Sequence, residues 1–385
     1  MKNLILPCQR HLFDIPVDVA YLNCAYMSPL MTSVAQAGEE AIQAKRHPWG
    51  TGSEGFFTTS EEARGLFASL IGAQSDDIAI APAASYGIAT AAANIPLKPH
   101  EEVLVLAEQF PSNIYSWERL ARENNATVHT IAAPTTTRQG PDWTPAILDA
   151  ISERTRIVAL PHCHWTDGAL IDLKSVSEKA KTVGSALVLD LSQSLGALPI
   201  NVAEIDPDFL IAPTYKWLMG PYAMGFLYVA PRWQEGRPLE ENWIVRKGSQ
   251  DFASLVDYED AYQPGAKRFD MGERANFQLM PMAKRALEQL LDWGVENIAA
   301  TLRVKTDALA KRANALGLLT GARDLRAPHF LGVRFPDGAP DGLLQHLASR
   351  NVHVSLRGTS MRVTPHLYNN EEDTDRLFGA LEECL

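Results

Sequence analysis

The chain has 385 residues, 46% of them hydrophobic, which is enough for a large domain and a smaller one with separate cores. Its 35 basic and 46 acidic residues give a formal net charge of −11, and no Lys or Arg run forms a nucleic-acid or membrane footprint, so any phosphate or carboxylate must be bound by local donors. Uncharged apolar runs of about 18 residues are absent, Pro7 interrupts the N-terminus early, and Cys8, Cys24, Cys163 and Cys384 lack CxxC spacing. These features point away from membrane spans, signal peptides, metal sites and disulfide frameworks, and towards a cytoplasmic setting.

From residue 60 onward apolar runs alternate with helical patterns. Strands are expected at Asp77–Ala81, Glu102–Leu106, Thr127–Ile131, Arg156–Leu160, Ala186–Asp190, Asp208–Ala212 and Gly225–Val229. Such alternation needs crossover connections, hence an α/β fold with a mainly parallel sheet covered by helices on both faces. Ligands of such sheets bind beyond the carboxyl ends of the strands. Ser85, Phe110, His164, Asp190 and Lys216 follow five of the expected strands, so one edge should collect them. Trp233 to Arg274 shows little periodicity and reads as a long active-site and interface crossing. Helices are expected at Met282–Trp293 and Val295–Leu316, broken by Gly294 and Gly317. Strand-like Phe330–Phe335 and Met361–Val363 with helical Gly342–Ser349 and Glu371–Leu381 make the remainder α+β. The expected division is 1–20 as an N-terminal segment packing with the small domain, 21–245 as the large domain, 246–280 as the crossing, and 281–385 as the small domain.

Asp190 ends one buried run and Lys216, 26 residues later, follows another. A lysine amine can hold an aldehyde cofactor as a Schiff base, and a carboxylate can keep a pyridine nitrogen protonated so that the ring acts as an electron sink. The pair therefore suggests pyridoxal 5′-phosphate, with Lys216 and Asp190 catalytic. The turn Ala83–Gly87, where a strand gives way to a helix, offers phosphate the backbone amide of Ala84 and the Ser85 hydroxyl.

With Tyr21–Tyr26, Ala83–Gly87, Phe110–Asn113, His164–Gly168, Asp190–Gln193, Tyr215–Trp217 and Met361–His366 in this order, the chain resembles the class V aminotransferase family. That family includes cysteine desulfurases, kynureninase and isopenicillin N epimerase-like proteins. The resemblance implies the PLP-dependent transferase (aspartate aminotransferase-like) fold, a seven-stranded sheet with one antiparallel strand, and a homodimer with shared active sites. It further implies that Phe110 stacks on the pyridine ring, Asn113 lines the cofactor pocket, Gln193 reaches the phenolic oxygen, Tyr215 binds phosphate and Arg362 clamps the substrate α-carboxylate. Trp165 replaces the Asn that desulfurases carry near the phenolic oxygen, leaving it to touch either ring or substrate. Trp165 and Tyr26 could shape an apolar pocket. Arg357 and His366 are weaker candidates, read first as structural. The segment Arg268–Arg274 with Asn276 corresponds to a loop that reaches the partner's phosphate; Glu273 cannot serve there, which leaves Arg274 or Asn276 to compensate.

Desulfurases need a cysteine just before the carboxylate-binding arginine, and Ser355–Arg362 has none, so sulfur transfer by that route is not expected. The small amino-acid substrate fits lyase, hydrolase or epimerase chemistry. Transamination and a non-catalytic PLP-binding protein are the alternatives. A nucleotide-binding α/β protein would require a G-x-G-x-x-G after the first strand or a P-loop, and neither occurs.

Overall fold

Runs such as Ile78–Ala81 and Ala186–Asp190 show no polar alternation because both faces of their sheet are covered, and every residue in them is buried. The computed structural model describes residues 4–134 and 140–385. A short strand β1 (Ala20–Tyr21) comes first in the chain. Then β2 (Ile78–Ala81), β3 (Glu102–Leu106), β4 (Thr127–Ile131), β5 (Thr155–Pro161), β6 (Ala186–Asp190), β7 (Phe209–Pro213) and β8 (Gly225–Val229) form one sheet. Its order is β2-β8-β7-β6-β5-β3-β4, and β8 alone runs antiparallel to its neighbours. All seven strands expected from sequence are present, with ends shifted by one residue at most on either side. Pairing of Pro161 with Asp190, Asp190 with Ile211, Pro213 with Gly225 and Gly225 with Ala81 aligns the functional strand ends along one edge.

The second sheet is antiparallel, in the order β12-β13-β10-β9, from β9 (Leu319–Thr320), β10 (Leu331–Arg334), β12 (Ser355–Arg357) and β13 (Ser360–Val363). Between them β11 (Val352–His353) pairs in parallel with β1. Helices Val295–Ala315, Leu343–Ser349 and Glu371–Glu382 contribute to a separate core with Leu331, Val333 and Val363. The N-terminal segment is tied there by Gln9 N–H to Leu367 O (2.8 Å) and by the Arg10–Asp373 ion pair (2.9 Å). Helices Thr32–Lys45 and Thr58–Ile71, not among the expected elements, pack beside Leu279–Trp293 against the large sheet.

The aperiodic stretch after Pro231 contains only short 3₁₀ turns, at Pro231–Trp233, Phe252–Val256 and Gly265–Phe269. It is stitched to the edge strand β2 by polar bonds: Met271 N–H to Ile80 O (2.9 Å) and Ile80 N–H to Asp270 Oδ1 (2.7 Å). Buried Arg64 completes the joint, 2.7 Å from Asp270.

Candidate active site

Asp190 closes β6, and its Oδ1 accepts from the Ser192 backbone N–H (3.0 Å) and hydroxyl (2.5 Å). This turn, in which a carboxylate bonds two residues ahead, fixes the side chain at the strand end and leaves Oδ2 for another donor. Asp190 forms no ion pair among the described residues although it is buried. Gln193 is held at both ends: Trp217 Nε1–H donates to its Oε1 (3.1 Å) and its Nε2–H donates to Ala25 O (3.1 Å). One amide hydrogen of Gln193 stays uncommitted. His329 Nε2 lies 2.6 Å from the Gln193 carbonyl, and only a protonated nitrogen can bond there, which sets the tautomer.

Lys216 sits in the turn after β7, buried, with Nζ 5.5 Å from the Phe110 ring centroid and 5.3 Å from that of Tyr215. Burial pushes its amine down to about 8, opposed by Asp190 and reinforced by Arg362 and Arg357. A lysine this far below its ordinary range is a competent nucleophile near neutral pH. Phe110 meets Trp165 edge to face at 5.3 Å, and the two rings with Asn113, Asp190, Gln193 and Lys216 line one small cavity. Asn113 Oδ1 accepts from Trp117 Nε1 (3.0 Å), while its buried Nδ2 has no partner. An orphaned buried donor is costly unless a ligand or water takes it up.

Helix Ala84–Asn94 begins directly after β2 with no capping side chain, so the N–H groups of Ala84 and Ser85 have no intrahelical acceptor. Tyr215 packs on Tyr222 (4.6 Å), and burial pushes its phenol up to about 12, which keeps it a hydrogen-bond donor. Arg362 projects from β13, buried, with Nε–H donating to Ser355 Oγ (2.8 Å) and Nη1–H to Trp165 O (3.2 Å). Among the described residues it has no carboxylate partner. Burial, with Arg357 adding to it, lowers its guanidinium to about 10, still charged at neutral pH. Tyr26 is half exposed at the rim and close enough to Tyr215 to influence it.

A buried lysine, a strand-end carboxylate with a free oxygen, an orphaned amide donor and an uncapped helix start suit the amine-reactive carbon, ring nitrogen, ring substituents and phosphate of pyridoxal phosphate. The structure thus brings together Asp190, Lys216, Phe110, Asn113, Trp165, Gln193, Tyr215 and Arg362, with Ala84 and Ser85 on the same sheet edge. Asn276 is not joined to them within one chain; its Oδ1 caps helix Leu279–Trp293 by accepting from Leu279 N–H (3.2 Å). Arg274 also does not serve as a free phosphate ligand. It is buried in ion pairs with Glu61 (2.6 Å) and Asp270 (3.1 Å). Ser192 and His329 were not singled out from sequence, and only Ser192, two residues after an aspartate, carried a local signal. Among the described residues no group of three or more His, Cys, Asp or Glu is placed to hold a metal ion.

The chain is 28% identical over 366 residues to the uncharacterized aminotransferase YcbU of Bacillus subtilis, covering 94% of each. It is 26% identical to a probable cysteine desulfurase of Methanothermobacter thermautotrophicus, covering 96% of each, so the relatives do not support setting desulfurase chemistry aside. Its fold matches a solved C-DES mutant with glycine covalently linked to the PLP cofactor, with a TM-score of 0.87, 17% identity, and coverage of 98% of this chain and 100% of that one. The aminotransferase class-V family model matches residues 36–377, and the chain belongs to that family of PLP-dependent enzymes.

Proposed function

We propose that Lys216 carries pyridoxal 5′-phosphate and that the enzyme acts on an amino acid by lyase, hydrolase or epimerase chemistry. The observation that carries this reading is that buried Lys216 lines one pocket with Asp190, Phe110 and Trp165, that buried Arg362 bonds the Trp165 carbonyl beside it, and that among the described residues neither cation is ion-paired. Bound pyridoxal phosphate would supply an electron sink for the bond broken at the substrate α-carbon. The chain's own groups would do the rest. Asp190 Oδ2 holds the proton on the ring nitrogen, while Phe110 and Trp165 wall off water. The free Gln193 amide hydrogen and Asn113 Nδ2 donate to ring substituents. Ser85, the Ala84 amide and the Tyr215 hydroxyl bind the phosphate. Arg362 takes the α-carboxylate through Nη2, its free terminal nitrogen, and the Lys216 amine moves the α-proton.

Transamination is the second reading, favoured by the relative named as an aminotransferase. Cysteine desulfuration falls within the lyase reading. Cys24 and Cys163 are buried, with burial raising both thiols well above the usual range, and neither lies on the β12–β13 hairpin. A homodimer with shared sites is part of the proposal. Phe56, Trp243, Phe252 and Phe277 cluster edge to face at 4.9 to 5.9 Å, with Trp49 exposed on a neighbouring turn, and this surface would bring Asn276 toward a partner. A cytoplasmic setting is supported by four free cysteines. Among the described residues no helix is long and apolar enough to cross a membrane.

The test is a visible spectrum of the purified protein before and after borohydride reduction, with the labelled peptide mapped and Lys216→Ala as control. An absorption band trapped on Lys216 is expected. A folded protein that shows no band after addition of pyridoxal phosphate would overturn the reading.

A further inference from the structure

We propose that Arg357 forms a second anion subsite beside Arg362, so that the substrate is an amino acid bearing a second acidic group. This rests on the reading that Arg362 takes the α-carboxylate of a substrate joined to a cofactor on Lys216.

The two arginines are placed by a hairpin. In the β12–β13 pairing Ser355 lies opposite Arg362 and Arg357 opposite Ser360. Directly opposed residues, and residues two apart on one strand, share a face of the sheet. Ser355, Arg357 and Arg362 therefore project together, and the Nε–H of Arg362 on Ser355 Oγ agrees with this. Both guanidinium carbons lie over the Trp165 ring, at 6.0 Å for Arg357 and 5.9 Å for Arg362. The indole is fixed by donation from Nε1–H to Glu108 O (2.5 Å), so it forms a firm floor under two cations.

Neither cation is neutralised. Arg357 donates from Nη1 to the Leu356 carbonyl (2.7 Å) and forms no ion pair among the described residues. By contrast Arg10, Arg64, Arg274 and Arg326, also withdrawn from solvent, each meet an Asp or Glu. In a chain of net charge −11, Lys216, Arg357 and Arg362 gather around a single carboxylate, Asp190. Once Asp190 serves the ring nitrogen and Lys216 the cofactor, two guanidinium groups are left, and one α-carboxylate satisfies only one of them. A side-chain carboxylate or a chemically similar oxyanion satisfies the other, and planar guanidinium forks suit such groups. Arg357, intermediate in exposure near the Gly358–Thr359 turn, stands on the approach from solvent, where it also draws an anionic substrate inward.

Two titrations test this. In the first, apoprotein is titrated calorimetrically with glutarate and with butyrate. In the second, protein loaded with pyridoxal phosphate is titrated with glutamate against glutamine and aspartate against asparagine, read by the change in visible spectrum. Wild type, Arg357→Leu and Arg357→Lys are compared, with thermal melts to establish folding. The expected result is that the diacid or acidic amino acid binds about tenfold or more tightly than its neutral counterpart, that Arg357→Leu abolishes the preference, and that Arg357→Lys keeps part of it. Equal binding of acid and amide by the wild type, or a preference that survives Arg357→Leu, overturns the subsite. If no cofactor is trapped on Lys216, the functional reading fails separately, and the glutarate titration still decides whether Arg357 makes an anion site.

Discussion

Asp190 shows how little of a side chain's role depends on its own stability contribution. Its carboxylate is buried and forms no ion pair among the described residues, so the cost of its desolvation offsets its attraction to the Lys216, Arg357 and Arg362 charges nearby. Asp190→Asn should therefore leave the apoprotein's melting temperature unchanged or raised. It should lower turnover by about 10²–10³-fold, the size expected for losing a desolvated charge pair with the ring. Parallel melts and rate measurements check this; a drop in melting temperature matching the loss of rate would make Asp190 a structural residue. Asp190 and Lys216 could be found in the sequence because each interrupts a buried apolar run with a charge. Asn113 was legible only through its motif, and its orphaned Nδ2 could not be foreseen, since what a buried amide lacks depends on neighbours distant in sequence. His329 was invisible for the same reason: its bond is to a backbone carbonyl 136 positions away.

At the scale of elements, periodicity reveals whatever is held by apolar faces and hides what is held by polar bonds. Most strands of the large sheet were legible because burial on both faces demands unbroken apolar runs, whereas the edge strand β4 (Thr127–Ile131), buried only at Ile131, was legible through its β-branched residues. Strands β1 and β11, two residues each, are too short to show any period. The crossing after Pro231 is anchored instead by Asp270, which bonds Arg64, Arg274 and the Ile80 N–H at the edge of the sheet. Removing that carboxylate would leave two buried guanidiniums, Arg64 and Arg274, sharing only the partly exposed Glu61. Asp270→Ala should cost about 3–5 kcal/mol of stability, measured by denaturant unfolding, with Asp270→Asn recovering part of the loss through the Ile80 bond. A cost below about 1 kcal/mol would mean that the joint relaxes around the missing group. Gly196 is a steric counterpart: at φ 101°, an added Cβ would come within 2.2 Å of the Trp217 carbonyl, so the turn carrying Lys216 is seated by the absence of a side chain.

Across the whole molecule, two buried histidines tie the segment bearing the second sheet to the cofactor pocket and make the assembly sensitive to acid. His329 packs edge on against Trp217 at 4.3 Å and bonds the Gln193 carbonyl; His366 lies 6.0 Å from Trp217 and 5.8 Å from Tyr368, with neither ring nitrogen partnered. Burial lowers both to about 3. The charged groups near them oppose protonation further, His162 and Arg303 acting on His329, and His329 and Lys305 acting on His366. Both folded values lie below the ordinary 6.5, so as the pH falls the unfolded chain takes up protons first. The stability these residues contribute is complete above about 6.5 and is lost progressively as the pH drops towards 3. At pH 5 each would cost about 2 kcal/mol, a sizeable part of a typical margin of about 5–15 kcal/mol. Urea unfolding at pH 7 and pH 5 should show this loss, and His366→Leu and His329→Gln should each reduce it by about 2 kcal/mol, with buried His162, lowered to about 4, contributing to what remains. Because His329 also secures Gln193, cofactor should be released over the same pH range as stability falls in the wild type. Cofactor loss without a change in unfolding free energy would instead place the acid sensitivity in the pocket alone.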